Sequence, residues 1–309
     1  MQGSAATYTP EVMHSRILAT LRGSKPLAVF VPPRADQALR ILQEGGVAAF
    51  RTPESCADAV RAYFDWRAPR EPVSTTAHTR SMVAQAVRSA GRGVLNAYDA
   101  ARLLAAIGVP CARSQVIHDG REPIELTFPV ALKILAADLQ HKTESGSVVL
   151  DIADPRTLAD AARTLLANAR RNAPCTRIDG LLVQTMEHGI GEVLVGYRRD
   201  HSVGPLILVG VGGTAAELWT GQAVRMAPVS TATALEMIEE VPGLALIRGF
   251  RGRPAGDLQA VAQAIHQLSL LALSESPRVL EAEINPLVVR TDGAVAVDAR
   301  VELESIAST

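Results

Sequence analysis

Between residues 180 and 212 the chain reads "GLLVQTMEHGIGEVLVGYRRDHSVGPLILVGVG". Three apolar, β-prone runs, "GLLVQTM", "EVLVGYRRD" and "PLILVGVG", are separated by connections too short for the helical crossover that parallel strands require. They are close enough for antiparallel pairing, which argues against a single parallel sheet. Around them lie further strand runs, "SQVIHD", "PVALKIL" and "SVVLDI". Helical patterns fill "SMVAQAVRSAG", "NAYDAARLLAAIG", "DPRTLADAARTLLANARRN" and the regions near 229–240 and 254–274. "EAEINPLVV" and "AVAVDARV" form a hairpin about Asp292 and Gly293. Strand clusters alternating with helix pairs predict an α+β fold with a pair of lobes.

The N-terminal part has a different rhythm. "PLAVFVPP" and "VAAFRT" are short strands among three helical stretches, the last opened by a Thr cap with proline in its first turn. Residues 1–70 thus read as a partial α/β unit, too small for a complete doubly wound domain. The polar, proline-bearing segment 71–79 is predicted as a linker, and residues 80–309 as the main domain.

Composition narrows the function. With 31 basic and 32 acidic residues, the chain lacks the basic excess of a nucleic-acid binder, and 4% aromatics leave no set of base-stacking platforms. Cys56, Cys111 and Cys175 are too scattered for a metal cage and read as free thiols of a reducing compartment. No run is long enough to span a membrane, and no basic-then-apolar leader opens the chain, so the expected location is the cytoplasm.

Three features point to a nucleotide. Lys133 sits inside the apolar strand "PVALKIL", where an ammonium either reaches water at the strand end or meets an anion. "VGVGGT", residues 209–214 and including Gly212 and Gly213, follows a strand directly. Glycines there let the backbone approach a ligand and aim amides at phosphate. Their spacing fits neither a dinucleotide fingerprint nor a P-loop, and alone they read as a plain turn. In the C-terminal hairpin, Glu283, Asn285 and Asp298 interrupt apolar strands, with Glu283 and Asn285 on one face by period two. Such oxygens suit a hard cation like Mg²⁺. A polar stretch, "DLQHKTESGS", also breaks open between two strand runs, as a surface loop or as a loop that handles phosphate.

With these residues in place, the ordered motifs "GRGVLNAYDAARLLAAIGVP", "PVALKILAADLQHKTESGSV", "AVRMAP", "IRGFRGRPAGD" and "EINPLVV…AVDAR" resemble a known family. It is the ATP-grasp, β-subunit-like part of the nucleoside-diphosphate-forming acyl-CoA synthetases, related to the succinyl-CoA synthetase β chain. The likeness spans roughly residues 80–303. Residues 13–70 resemble the end of the CoA-ligase domain that precedes ATP-grasp in fused members, a flavodoxin-like unit. The resemblance implies acyl-CoA + ADP + phosphate ⇌ carboxylate + ATP + CoA through phosphohistidine. His141 would carry the phosphoryl group on a mobile loop, with Lys142 steadying it. Lys133 would hold the nucleotide phosphates. Gln184 and the backbone near Met186 would meet adenine at a hinge, and Glu192 would reach the ribose. Arg225 is a candidate phosphate contact, Gly212 and Gly213 line the nucleotide, and Asn285 with Asp298 would ligate Mg²⁺. ATP or ADP and Mg²⁺ are therefore the implied cofactors, and a small carboxylate and CoA the substrates. The partner is a CoA-binding, α-type chain or domain within an oligomer, with no nucleic acid or membrane involved. Ser147 stands where the family commonly has a second glycine after the His-Lys pair. Other readings that keep nucleotide binding are a carboxylate ligase working through an acyl phosphate, and a non-catalytic regulatory protein.

Overall fold

A computed structural model of the chain describes residues 10–22, 25–31, 35–66, 72–137, 148–172, 175, 177–213, 221–252 and 254–305. It divides into two compact units, Met1–Glu71 and Pro72–Thr309.

The first unit contains helix α1 (Pro10–Ala19), strand β1 (Ala28–Phe30), helix α2 (Asp36–Glu44), strand β2 (Ala48–Phe50) and helix α3 (Pro53–Asp65). β1 and β2 pair in parallel, with Val29 opposite Ala49. Ala38, Leu39 and Leu42 of α2 share a small core with Val31, Val47 and Ala49. The Thr52 hydroxyl accepts the Ser55 amide at 3.2 Å and sets the start of α3, as its Thr-Pro signal predicts.

The second unit begins with helix α4 (Ala77–Ala90), which reaches into the segment expected as linker. Strand β3 (Gly93–Leu95), helix α5 (Ala97–Ala106), strands β4 (Ser114–Ile117), β5 (Val130–Leu135) and β6 (Val148–Ile152), and helix α6 (Pro155–Asn172) follow. Next come strands β7 (Gly180–Thr185), β8 (Gly191–Asp200), β9 (Gly204–Val211) and β10 (Ala223–Met226), then helices α7 (Thr231–Glu240) and α8 (Leu258–Ser269). Strands β11 (Val279–Arg290), β12 (Gly293–Ala296) and β13 (Ala299–Leu303) end the unit. Two antiparallel sheets result. One has the order β4-β7-β5-β6, and the other runs β10-β9-β8-β11-β13-β3 with β12 also on β11.

This arrangement corrects the expected grouping of the run 180–212. β8 and β9 pair as antiparallel neighbours, but β7 lies in the other sheet, between β4 and β5. Its apolar faces explain the switch. Val130, Leu132 and Ile134 of β5 join Leu181 and Val183 of β7 against Leu158, Ala162 and Leu165 of α6. Each such side chain contributes about 1.5–3 kcal/mol on full burial, enough to decide which sheet β7 enters. On the opposite face Leu135 and Leu182 pack on Ala97 at the start of α5. Residues 186–190 therefore connect two sheets, not two neighbouring strands.

The hairpin also differs from expectation. The segment read as one strand, "AVAVDARV", is split into β12 and β13. Leu287–Arg290 of β11 pair with β12, while Val279–Ile284 pair with β13. Pro286 has no amide to give a ladder, so the register against β8 shifts between Ile284 and Leu287. Opposite that shift lie Val297 and Asp298, between the two strands. Strands β3 and β10, too short to stand out by periodicity, were not expected.

Asn96 ties the sheets together locally. Its Oδ1 accepts the Asp99 amide at 3.0 Å, capping α5, and its Nδ2 donates to Asp179 Oδ2 at 3.2 Å. Asn96→Ala removes both bonds, so urea unfolding should show a loss of about 1–2 kcal/mol. Loss below a few tenths would mean that neither bond contributes.

Candidate functional site

The site grows from the interruption in β11. There the Asn285 amide donates to the Asp298 carbonyl at 3.1 Å, and the Val297 amide to the Pro286 carbonyl at 3.0 Å. The Ala299 amide donates to Asp298 Oδ1 at 3.0 Å. These bonds fix the two segments face to face. Lys133 arrives from the other sheet. It is only 6% exposed, and its Nζ donates to the Val297 carbonyl at 3.2 Å. The lysine head thus meets the interruption, not bulk water, as a cation kept in an apolar strand must.

The glycine run closes the other side. Gly213 has φ of +63°, and its amide donates to Asn285 Oδ1 at 2.9 Å. A side chain on it would overlap the Glu192 carboxylate. The Gly212 amide donates to the Glu192 carbonyl at 3.0 Å. Both amides, expected to point at phosphate, are engaged within the protein. What the pair provides is close approach of the backbone to Asn285 and Glu192.

Electrostatics at the interruption favour a cation. Burial pushes the Glu283 carboxyl above its ordinary range. The Asn285 hydrogen bond and the nearby Arg300 charge pull the other way, while the charges of Glu281 and Asp298 push it further up. Among the described residues no group of three or more His, Cys, Asp or Glu side chains forms a self-sufficient metal cage. An amide oxygen and carboxylates are the hard donors that suit Mg²⁺, which keeps several non-protein oxygens.

The segment 186–190 is clasped at both ends. The Thr185 amide donates to the Arg113 carbonyl at 2.9 Å, and the Ile190 amide to the Val289 carbonyl at 2.8 Å. Glu187 accepts the Thr185 hydroxyl at 3.0 Å through one oxygen and pairs with Arg290 through the other. Half-buried Met186 lies in this hinge segment. Beside it a cavity of about 410 Å³ is lined by Glu187, His188, Glu192, Gly212, Leu244 and Val288 among others.

Two expected residues make other contacts than the resemblance implies. Arg225, on β10, pairs with Glu240 and donates to the Val224 carbonyl at 2.9 Å; among the described residues it has no hydrogen bond to the other site residues. Gln184 is 4% exposed and faces a different, small cavity beside Asp298. His141 and Lys142 lie outside the described residues, as does Ser147. Asp200 accepts the Ser202 and Val203 amides at 2.8 and 3.0 Å and shapes the β8–β9 turn. Sequence reading missed the Val297 carbonyl and the Glu187–Arg290 clasp, because a backbone atom and a distant ion pair leave no local pattern.

The chain is similar to several known proteins. The family profile described as ATP-grasp domain matches residues 86–303. The β subunit of acetate–CoA ligase (ADP-forming) I from Pyrococcus furiosus is 33% identical over 209 residues, covering 66% of this chain and 90% of the relative. Acetate–CoA ligase (ADP-forming) I from Archaeoglobus fulgidus is 31% identical over 280 residues, covering 87% of this chain. The matched part is 40% of that relative's own length. Among solved structures, acetyl-coenzyme A synthetase 1 of Ca. Korarchaeum cryptofilum with coenzyme A and Mg-AMPPCP matches with a TM-score of 0.60 and 27% identity. The match covers 73% of this chain and 99% of that one, in which a phosphohistidine segment points towards the nucleotide-binding site.

Proposed function

Because this chain belongs to the ATP-grasp domain family, we propose that it is the nucleotide-binding part of an ADP-forming acyl-CoA synthetase. The reaction is acyl-CoA + ADP + phosphate ⇌ carboxylate + ATP + CoA through phosphohistidine. The observation that carries this reading is the buried Lys133 ammonium bonded to Val297, between Pro286 and Asp298 at the interrupted strand. A fixed cation, close-approaching glycines and hard oxygen donors together meet the needs of a nucleotide polyphosphate. The named activities of the relatives support the same assignment.

In this reading Lys133 holds phosphate oxygens, and the hinge backbone at Met186 with Glu192 binds the nucleoside in the cavity beside them. Asn285 and Asp298 would hold Mg²⁺, which supplies charge neutralisation on the phosphates when bound. His141 attacks the terminal phosphorus with its neutral imidazole lone pair. An N–P bond forms as the bond to the ADP oxygen breaks, and Lys142 steadies the phosphoryl charge. Turnover to acyl-CoA needs a CoA-binding, α-type partner chain or domain.

ATP labelled in its terminal phosphate should leave an acid-labile, base-stable label on the chain, and His141→Ala should remove it. Full labelling of His141→Ala would sink the phosphohistidine route. Mg-ATP binding with no label on the native chain would point instead to a regulatory protein or a direct acyl-phosphate ligase.

A further inference from the structure

Gln184 lies in the middle of a fold layer where no side chain should be left unsatisfied. It stands on β7 opposite Ser114 of β4 and Ala131 of β5. Its Oε1 is buried and has no hydrogen-bond partner. A buried amide oxygen left bare costs about 1–3 kcal/mol, so the site calls for a donor. The carboxamide lines a small cavity of about 10 Å³ together with Ser114, Cys111, Val297 and Asp298. That volume is on the scale of one water molecule.

The surroundings select the occupant. Gln184 Oε1 and the Asp298 carboxylate are both acceptors, so the occupant must donate twice. A metal cation is disfavoured, because the Lys133 ammonium already sits on the Val297 carbonyl at the same wall. Burial pushes the Cys111 thiol up to about 11, so it adds no thiolate to attract one. Its S–H is turned towards the Ala101 and Val109 carbonyls, each at 3.4 Å. A nucleobase does not fit. Water does, with the Ser114 hydroxyl available to it as a further partner.

We infer that Gln184 is a positioning residue, bridged by one buried water to Asp298 and orienting that carboxylate for its metal. The link runs from the hinge strand β7 to the β12–β13 connection, so it joins the two sheets at the site. This rests on Asp298 being a metal ligand. Outer partners of metal ligands typically change metal affinity about 10- to 100-fold when removed.

The test uses the full chain and compares ADP affinity by calorimetry with Mg²⁺ and with EDTA. Gln184→Leu should lower the ratio of the two affinities about 10-fold or more, and Ser114→Ala should lower it in the same direction. Crystals of the native chain should show one water between Gln184 and Asp298, absent from Gln184→Leu. An unchanged ratio in Gln184→Leu and Ser114→Ala, or anomalous density for a soaked monovalent cation in the cavity, would overturn the inference. So would a loss of EDTA-state affinity with the ratio preserved, which would place Gln184 on the base. Asp298→Asn separates the two levels. If it leaves the ratio unchanged, the metal-ligand reading itself fails. If it lowers the ratio while Gln184→Leu does not, only the bridge fails.

Discussion

Lys133→Met should keep the fold and lose the nucleotide. Methionine fills nearly the same length in the layer between the sheets, so packing against Leu182 of β7 is largely retained. The Val297 carbonyl loses its donor, a cost of about 1–3 kcal/mol, but the desolvated ammonium that had to be accommodated is also gone. Urea unfolding should therefore move modestly. Mg-ADP binding should weaken about 10- to 100-fold, matching the 1.5–3 kcal/mol of a hydrogen bond to a charged group. Phosphoenzyme formation should fall at least as far, since charge on the phosphates grows during transfer. If calorimetry instead showed native affinity with a large loss of stability, Lys133 would be a strut between the sheets and no phosphate ligand.

The second large effect separates two neighbouring glycines. A Cβ on Gly212 would lie 2.6 Å from the carbonyl carbon of Val193 and 2.9 Å from the Leu194 amide nitrogen. Those atoms belong to β8, which is held between β9 and β11 and cannot retreat. Gly212→Ala should thus cost at least about 1–3 kcal/mol and leave little folded protein at raised temperature. Gly213 meets a different obstacle. Its left-handed backbone costs an alanine about 1–2 kcal/mol, while its Cβ collides with the flexible end of Glu192. Gly213→Ala should fold, with Glu192 driven from its place and nucleotide affinity reduced about tenfold, the loss of one hydrogen bond. Placing it on a Glu192→Ala background should add only the backbone cost, because the colliding group is gone. Equal stability losses for the two single variants would contradict this division.

Much of the site was legible as an anomaly of pattern. Lys133 in an apolar strand, and Asn285 and Asp298 in an apolar hairpin, break the local rule, and chemistry is the common reason for such breaks. The structure brings these three within one network through Val297. Arg225 did not announce itself that way. It came from resemblance alone, and its charge is matched by Glu240. Gln184 lies on β7, but strand periodicity gives only the face of a residue. Whether that face meets a ligand or a small cavity depends on what the other sheet puts opposite.

The sequence by itself determined most element types, the antiparallel character of the second unit and the residue types at the site, because periodicity, proline and capping act over a few neighbours. Thr52 and Asn96 start their helices as their types predict. The tertiary structure alone decided that β7 leaves its neighbours for another sheet. It also decided that "AVAVDARV" splits in two, and that a backbone carbonyl at Val297 receives the lysine. Each of these depends on contacts between segments far apart in the chain, where burial and backbone hydrogen bonding are settled jointly and no local preference can fix the outcome.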